Sequence, residues 1–387
     1  MKCPLCYAIF LLMQLTYATT YNAQDVSKWS GTPYFMTRAF EQNGVALSYI
    51  GPLSRPHSSL NQFIKKLTFR SRTSTRFDPK IAQNYSQQVA KALSETQAII
   101  APQVNPIAYL NCKQPIVLWT DALFAGQVGF HRPSSTLSAQ SIRQGNLVTL
   151  ECLKRSRLAI FSSEWAARTA LEVYGIEKEK VHVVPFGANI ECNHGLPEVQ
   201  ERINQRPRGI IKLLFIGVEW EGKGADTVLA VAKLLHANGH PVELTMVGCK
   251  PPHTVTIPLY VHCLGFISKC TPEGRAQLST LLWQAHFLFV PSHAEAYGIV
   301  FCEANAYAVP CLTTYVGGIS TVVNNNINGM TFSLQASPDV YANYIVNLMS
   351  DDAAYEALAL SAFHEYKTRL NWGVATRRVV ALIQGVL

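Results

Sequence analysis

Charge is scarce in this chain. Only 15% of its 387 residues are Asp, Glu, Lys or Arg, while 48% are hydrophobic. That balance excludes an intrinsically disordered protein, which buries too little apolar surface to offset the entropy of ordering. No internal repeat marks it as a solenoid. No apolar run approaches the roughly 20 residues needed to span a bilayer. The ten cysteines hold no pattern of metal ligands. Cys3 and Cys6 form one CxxC without a second pair, and Cys263/Cys270 and Cys302/Cys311 lack zinc spacing. Most lie in apolar strings, where a free thiol packs like a small core residue, so a reduced, cytoplasmic protein is expected. No Asp-x-Asp is present, and no metal requirement is expected. No GxGxxG follows a strand, which argues against a dinucleotide oxidoreductase. No RRM-like, zinc-finger or helix-turn-helix signature points to nucleic acid.

What is present begins with a net charge of +8, which favours anionic partners such as nucleotides, phosphates or anionic lipid. The length fits two domains. Apolar runs alternate with amphipathic stretches, first as strand Ile9–Leu15, helix Tyr34–Asn43, strand Ala46–Ile50, helix Lys80–Leu93 and strands Ala98–Ile100 and Ile116–Trp119. Helix Leu147–Ser156, strand Leu158–Phe161, helix Trp165–Tyr174 and strand Val181–Val184 follow. Lys2 and the apolar run after Tyr7 also fit a short signal peptide cut near Ala18 or Ala23. The strand is preferred, because Trp29-Ser-Gly-Thr-Pro33 looks like a strand-to-helix loop and needs a strand before it. A polar stretch over 198–209, punctuated by Pro207, reads as a linker. The alternation then restarts at Lys212 and gives a second α/β domain over 210–370, with a last helix over 371–387. The first domain takes 1–197. Two doubly wound sheets place ligands at the carboxyl ends of their strands, in the cleft between domains.

Three strand-end segments carry residues suited to chemistry. In the first, strand Phe287–Val290 runs into a loop with His293 and Glu295, and Gly298 opens a helix that carries Glu303. Glycine lets a ligand approach the backbone, and a carboxylate can accept both hydroxyls of a ribose. The plain alternative is that both Glu merely favour the helix dipole. The second segment, Leu213 to Asp226, places Gly217 and then Lys223-Gly224 between strand and helix, where a lysine suits a phosphate. The third sets Gly317-Gly318 between strand and helix.

In this order, with Val247-Gly248, Leu264-Gly265 and Asn328-Gly329 between and after them, the segments resemble family-4-type retaining glycosyltransferases of the GT-B fold. The resemblance is strong over 212–332 and looser before it. It implies two Rossmann-like domains facing across a cleft, with the C-terminal helix packing back on the N-terminal domain. The N-terminal domain would bind the acceptor, and the C-terminal domain a UDP- or GDP-sugar. It implies that Lys223 neutralises the donor diphosphate, Glu303 holds the ribose, and Glu295 lies near the transferred sugar. The backbone N–H groups of Tyr297, Gly298 and Ile299 would surround sugar and phosphate, and His293 is a further candidate for the sugar. Gly217 and Gly265 would lie along the donor, Ile267 would read the base through its main chain, and Gly31 and Thr32 would approach from the other domain.

Two positions depart from the family. Val218 stands where an arginine is usual, and Thr120-Asp121 where a histidine is usual. Asp121 becomes the candidate polar group facing the reaction centre, a satisfied loop aspartate being the alternative. The implied reaction moves a hexose-type sugar to a glycan, lipid or small-molecule acceptor with retention and without a metal or other cofactor. The rival readings are an inactive nucleotide-sugar binder of the same fold and a sugar-nucleotide epimerase. A basic run over 63–80 with interleaved Phe63, Phe69 and Phe77 is a candidate contact for anionic membrane or a phosphate-bearing acceptor, a solvated loop being the alternative.

Overall fold

In a computed structural model, residues 13–56, 77–130 and 137–387 are described. The N-terminal part of the chain forms a parallel six-stranded sheet. Its strands are β1 (Gln14–Ala18), β2 (Ala46–Ile50), β3 (Ala98–Ala101), β4 (Ile116–Thr120), β5 (Ser156–Phe161) and β6 (Val181–Val183), in the order β2-β1-β3-β4-β5-β6. Helices α1 (Thr32–Gln42), α2 (Pro79–Ala92), α3 (Phe124–Gln127), α4 (Ala139–Arg155) and α5 (Glu164–Arg168) connect them. β3 and β4 are buried at every position. Strands covered by helices on both faces read as continuous apolar runs, which is why the pattern was visible.

The C-terminal part repeats the plan with β7 (Ile211–Gly217), β8 (Val242–Gly248), β9 (Val261–Gly265), β10 (Phe287–Val290), β11 (Cys311–Thr314) and β12 (Gly329–Phe332). Their order is β12-β11-β10-β7-β8-β9, again parallel. Counted within this domain, that is the 3-2-1-4-5-6 order of a dinucleotide-binding sheet, with its switch point between β7 and β10. Between and after the strands come α6 (Leu196–Asn204, before β7), α7 (Ala225–Ala237), α8 (Pro272–Gln284), α9 (Ile299–Asn305), α10 (Ile319–Val322), α11 (Pro338–Met349) and α12 (Asp352–Thr368). No helix among the described residues is long and apolar enough to cross a membrane.

The last helix, α13 (Trp372–Gln384), leaves the second sheet and packs on α1 of the first. Asn43 Nδ2 donates to Thr376 Oγ1 at 2.6 Å and to the Gly373 carbonyl at 3.0 Å. The chain therefore crosses between domains twice, at 186–195 and at 370–372. The two crossings touch: Ala188 N–H donates to the Leu370 carbonyl at 3.1 Å. A Cβ on Gly187 would lie 2.0 Å from the Trp372 nitrogen, so only glycine fits there.

Several expectations shift. The first strand begins at Gln14 and runs to Ala18, later than Ile9–Leu15. Hydrophobicity alone marked the earlier run, whereas Thr16 and Tyr17 are good strand formers and are both fully buried. Residues 1–12 lie outside the described residues, as do 57–76, which hold most of the basic run, and 131–136. The helix expected at Leu147–Ser156 starts two turns earlier, at Ala139, capped by Ser138. The helix expected over Trp165–Tyr174 is α5 followed by a wider π-type turn over Thr169–Val173.

The stretch 198–209 is no open linker over its first half, because α6 covers Leu196–Asn204 and buries Val199 and Ile203. Behind it, Arg206 is 4% exposed. Its guanidinium donates to the carbonyls of Tyr307 (2.8 Å), Ala308 (2.9 Å) and Trp283 (3.3 Å) and to the Tyr355 hydroxyl (2.8 Å). Arginine carries five donors in a rigid fork, and here they meet carbonyls in the last turn of α8 and just past the end of α9. Polarity in the sequence gave no hint that this charge is buried.

Candidate active site

Lys223 follows β7, and Glu295 follows β10, so the switch point of the second sheet brings them together. Lys223 Nζ lies 2.5 Å from Glu295 Oε2, with both side chains largely shielded. Three backbone features build this corner. Gly224 sits at φ +72°, and a Cβ there would meet the Pro291 carbonyl at 2.2 Å. A Cβ on Gly217 would press on the Lys223 stem at 2.9 Å. The His293 N–H donates to the Gly222 carbonyl at 3.0 Å, tying the two loops to each other. The His293 side chain itself is exposed.

Glu303 lies on α9, buried at 2% exposure. Its Oε1 is 2.5 Å from Lys269 Nζ, in the loop after β9. Burial pushes the Glu303 carboxyl above the usual carboxylate range, and the Lys269 ammonium and a hydrogen bond from the Asn189 backbone pull it partly back. Gly298, at φ +89°, opens α9 in a conformation that disfavours any side chain.

The two glutamates face different cavities. Glu303 and Lys269 line one of about 530 Å³, closed on the other side by Tyr34, Phe35, Asn189 and Glu191 of the N-terminal part. Glu295 lines a second, of about 440 Å³, together with Tyr21, Trp29, Gln103, Asn105 and Asp121. This second cavity gathers the loops after β1, β3 and β4. Asp121 therefore shares a cavity with Glu295.

Not every expected residue points into these cavities. Tyr297 is buried between the domains, where its hydroxyl donates to the Phe186 carbonyl at 2.6 Å and burial holds its pKa well above that of a free phenol. Its side chain is a structural tie. Gly265 ends β9 at φ +69°, and Ile267 packs partly against the core. Ile299 is partly buried at the start of α9. Gly31, at φ +91°, precedes α1, and Thr32 is buried beneath it. Val218 is 65% exposed and brings no charge to the end of β7.

Asn189 and Lys269 were not anticipated. Asn189 is 1% exposed, and its amide is fully engaged. Its Nδ2 donates to the Ser30 carbonyl (3.0 Å) and to Thr32 Oγ1 (2.9 Å), while its Oδ1 accepts from the Trp372 indole at 2.9 Å. The loop it holds is strained: Trp29 and Ser30 sit at φ 46° and 56°, before Gly31. Left-handed backbone at two consecutive non-glycine residues persists only where surrounding contacts enforce it. The only sequence trace of Asn189 is its place two residues after Pro185-Phe-Gly187.

The loop of Glu295 also touches the other domain through Gly317-Gly318. A Cβ on Gly318 would lie 2.0 Å from the Ala296 carbonyl and 2.8 Å from Ser163 Oγ. One on Gly317 would lie 2.1 Å from the Glu295 carbonyl. Nearby, Glu164 N–H donates to Thr321 Oγ1 at 3.0 Å.

Residues 198–364 match the family described as glycosyl transferases group 1. The match covers most of the C-terminal domain and none of the first sheet. Among relatives, a D-inositol 3-phosphate glycosyltransferase of Xylanimonas cellulosilytica is 26% identical over 244 residues, covering 60% of this chain and 58% of the relative. One of Catenulispora acidiphila is 27% identical over 229 residues, covering 56% and 54%. The chain thus spans a little over half the length of the curated relatives it matches. Among solved structures, sucrose-phosphate synthase of Thermosynechococcus elongatus superposes with a TM-score of 0.69 at 14% identity, covering 97% of this chain and 99% of the other. A glycosyltransferase of Rickettsia africae gives 0.64 at 13%, with the same coverage. Anabaena HepE, solved in complex with UDP and glucose, gives 0.59 at 14%, covering 96% and 99%. The fold of the whole chain is GT-B.

Proposed function

We propose that the protein transfers a hexose-type sugar from a nucleoside diphosphate sugar to a hydroxyl of a glycan, lipid or small-molecule acceptor, with retention at the anomeric carbon. One observation carries this reading. The Lys223–Glu295 pair stands at the switch point of the second sheet, with Glu295 facing the cavity of Asp121 and Glu303 facing the other. The nucleotide then occupies the Glu303 cavity, its ribose hydroxyls on that carboxylate. The acceptor occupies the cavity of Trp29, Asn105 and Asp121, and the transferred sugar lies between them.

In the reaction, the bond from the anomeric carbon to the β-phosphate oxygen breaks and the acceptor oxygen bonds to that carbon on the same face. The departing phosphate takes the acceptor proton, so no enzyme nucleophile is needed. Negative charge grows on the β-phosphate, and Lys223 is positioned to stabilise it. Glu295 keeps Lys223 in place and accepts hydroxyls of the sugar. A uridine donor is favoured by the UDP bound in the HepE structure, and a guanosine donor is the alternative.

A screen of UDP- and GDP-sugars by thermal shift identifies the donor, because a ligand of the native state raises the melting temperature by mass action. Release of UDP or GDP by the purified protein, with and without candidate acceptors, then tests turnover. Binding without release under any condition would favour the inactive binder over the transferase.

A further inference from the structure

Glu303 already spends one carboxylate oxygen on Lys269, so a ribose diol that spans both oxygens competes with the ammonium. The carboxylate is buried, its Oε1 lies 2.5 Å from the ammonium, and the side chains are 3% and 28% exposed respectively. Both line the same cavity of about 530 Å³. A diol seated across both oxygens crowds the ammonium off Oε1, and an ammonium moved within a shielded cavity needs another anion. The incoming ligand brings one. The α-phosphate is joined to the same ribose through its 5′ carbon, one sugar ring from the diol.

We propose that Lys269 is an exchangeable counter-ion: nucleotide binding breaks the Lys269–Glu303 pair, and the freed ammonium passes to the donor's diphosphate. The charges of the site favour the exchange. Lys223 is already paired with Glu295, and Glu303 adds a further negative charge, so a diphosphate entering here meets two carboxylates. Arg275, also on this cavity, has one guanidinium nitrogen on the Lys269 carbonyl at 3.0 Å, which steadies the loop that carries the ammonium. Lysine suits the role because its ammonium is a point charge on a flexible stem, able to leave one oxygen and reach another. The inference rests on the nucleotide reading of this cavity.

The test compares ligands with and without the diphosphate. Dissociation constants for UDP and uridine, and for GDP and guanosine, are measured by calorimetry on the wild type, Lys269→Met and Lys269→Arg. Any effect of losing the partner of Glu303 acts on the ribose and is common to nucleoside and nucleotide, so it cancels in their ratio. The preference for the diphosphate over its nucleoside is expected to fall about tenfold in Lys269→Met, as for loss of one charge-assisted hydrogen bond, and to recover largely in Lys269→Arg. The slope of log affinity against log salt for the diphosphate becomes shallower in Lys269→Met. An unchanged ratio and slope, in a variant whose melting curve shows it folded, overturn the exchange while leaving the nucleotide site standing. No binding of either diphosphate by the wild type would instead refute the nucleotide reading itself.

Discussion

The Tyr297 hydroxyl donates to the Phe186 carbonyl at 2.6 Å, across the boundary between the two domains. Phe186 lies on the first crossing of the chain, and its ring meets those of Trp29, Trp119, Tyr297 and Trp372 at centroid distances of 5.2–5.9 Å. The loop that carries Glu295 is thus anchored two residues later into an aromatic cluster that also supports the strained loop at Trp29. Trp29, one of these rings, lines the cavity of Glu295.

Lys223→Ala and Glu295→Ala are each expected to lower turnover by about tenfold or more: the first removes the cation proposed to stabilise the departing β-phosphate, and the second removes the carboxylate that holds that cation and is proposed to accept the sugar hydroxyls. Sugar transfer measured by release of nucleoside diphosphate decides this. Unchanged rates in both variants would remove the proposed roles.

Asn189→Leu leaves the Trp372 indole, the Ser30 carbonyl and Thr32 Oγ1 without their partner, inside the protein. Unsatisfied buried groups and release of the left-handed Trp29–Ser30 backbone should together cost about 3 kcal/mol. Urea unfolding reads the loss. A midpoint equal to that of the wild type would mean the loop holds its shape without Asn189.

Gly318→Ala forces a methyl group to within 2.0 Å of the Ala296 carbonyl. The loop of Glu295 must move, because the obstruction is backbone and cannot rotate away. Turnover should fall at least as far as in Glu295→Ala, with a loss of stability of about 1–3 kcal/mol, typical of overpacking. Full activity in this variant would show that the loop can shift without cost to the chemistry.

His286 supplies a pH dependence far from the site. It is 2% exposed, and its Nδ1 accepts from the Lys212 N–H at 2.9 Å, which requires the neutral ring. Burial, with Arg206 nearby, lowers its pKa to about 4. A lowered basic group binds fewer protons in the native state than when unfolded. Its contribution is therefore complete above about pH 6.5 and is lost as pH falls towards about 4, up to about 3 kcal/mol. Melting temperatures from pH 7 to pH 4 should drop less steeply in His286→Gln than in the wild type, and parallel curves would refute the assignment.

The alternation of strands and helices was legible because buried parallel strands are apolar on both faces. Lys223, Glu295 and Glu303 were legible because they follow strand ends in a fixed order. Their partners were not. Lys269 sits 34 residues before Glu303, and nothing in its neighbourhood distinguishes it from a solvated lysine. Asn189 and Arg206 likewise meet carbonyls and an indole that only the fold brings near. Tyr297 was expected in the site for its backbone, while its ring works elsewhere, because sequence order does not tell which way a loop side chain turns.

The two crossings of the chain meet at Gly187 and Trp372, inside the aromatic cluster. Both covalent connections therefore act as a single hinge line. A relative movement of the two sheets is tethered at one place, where both connections lie side by side.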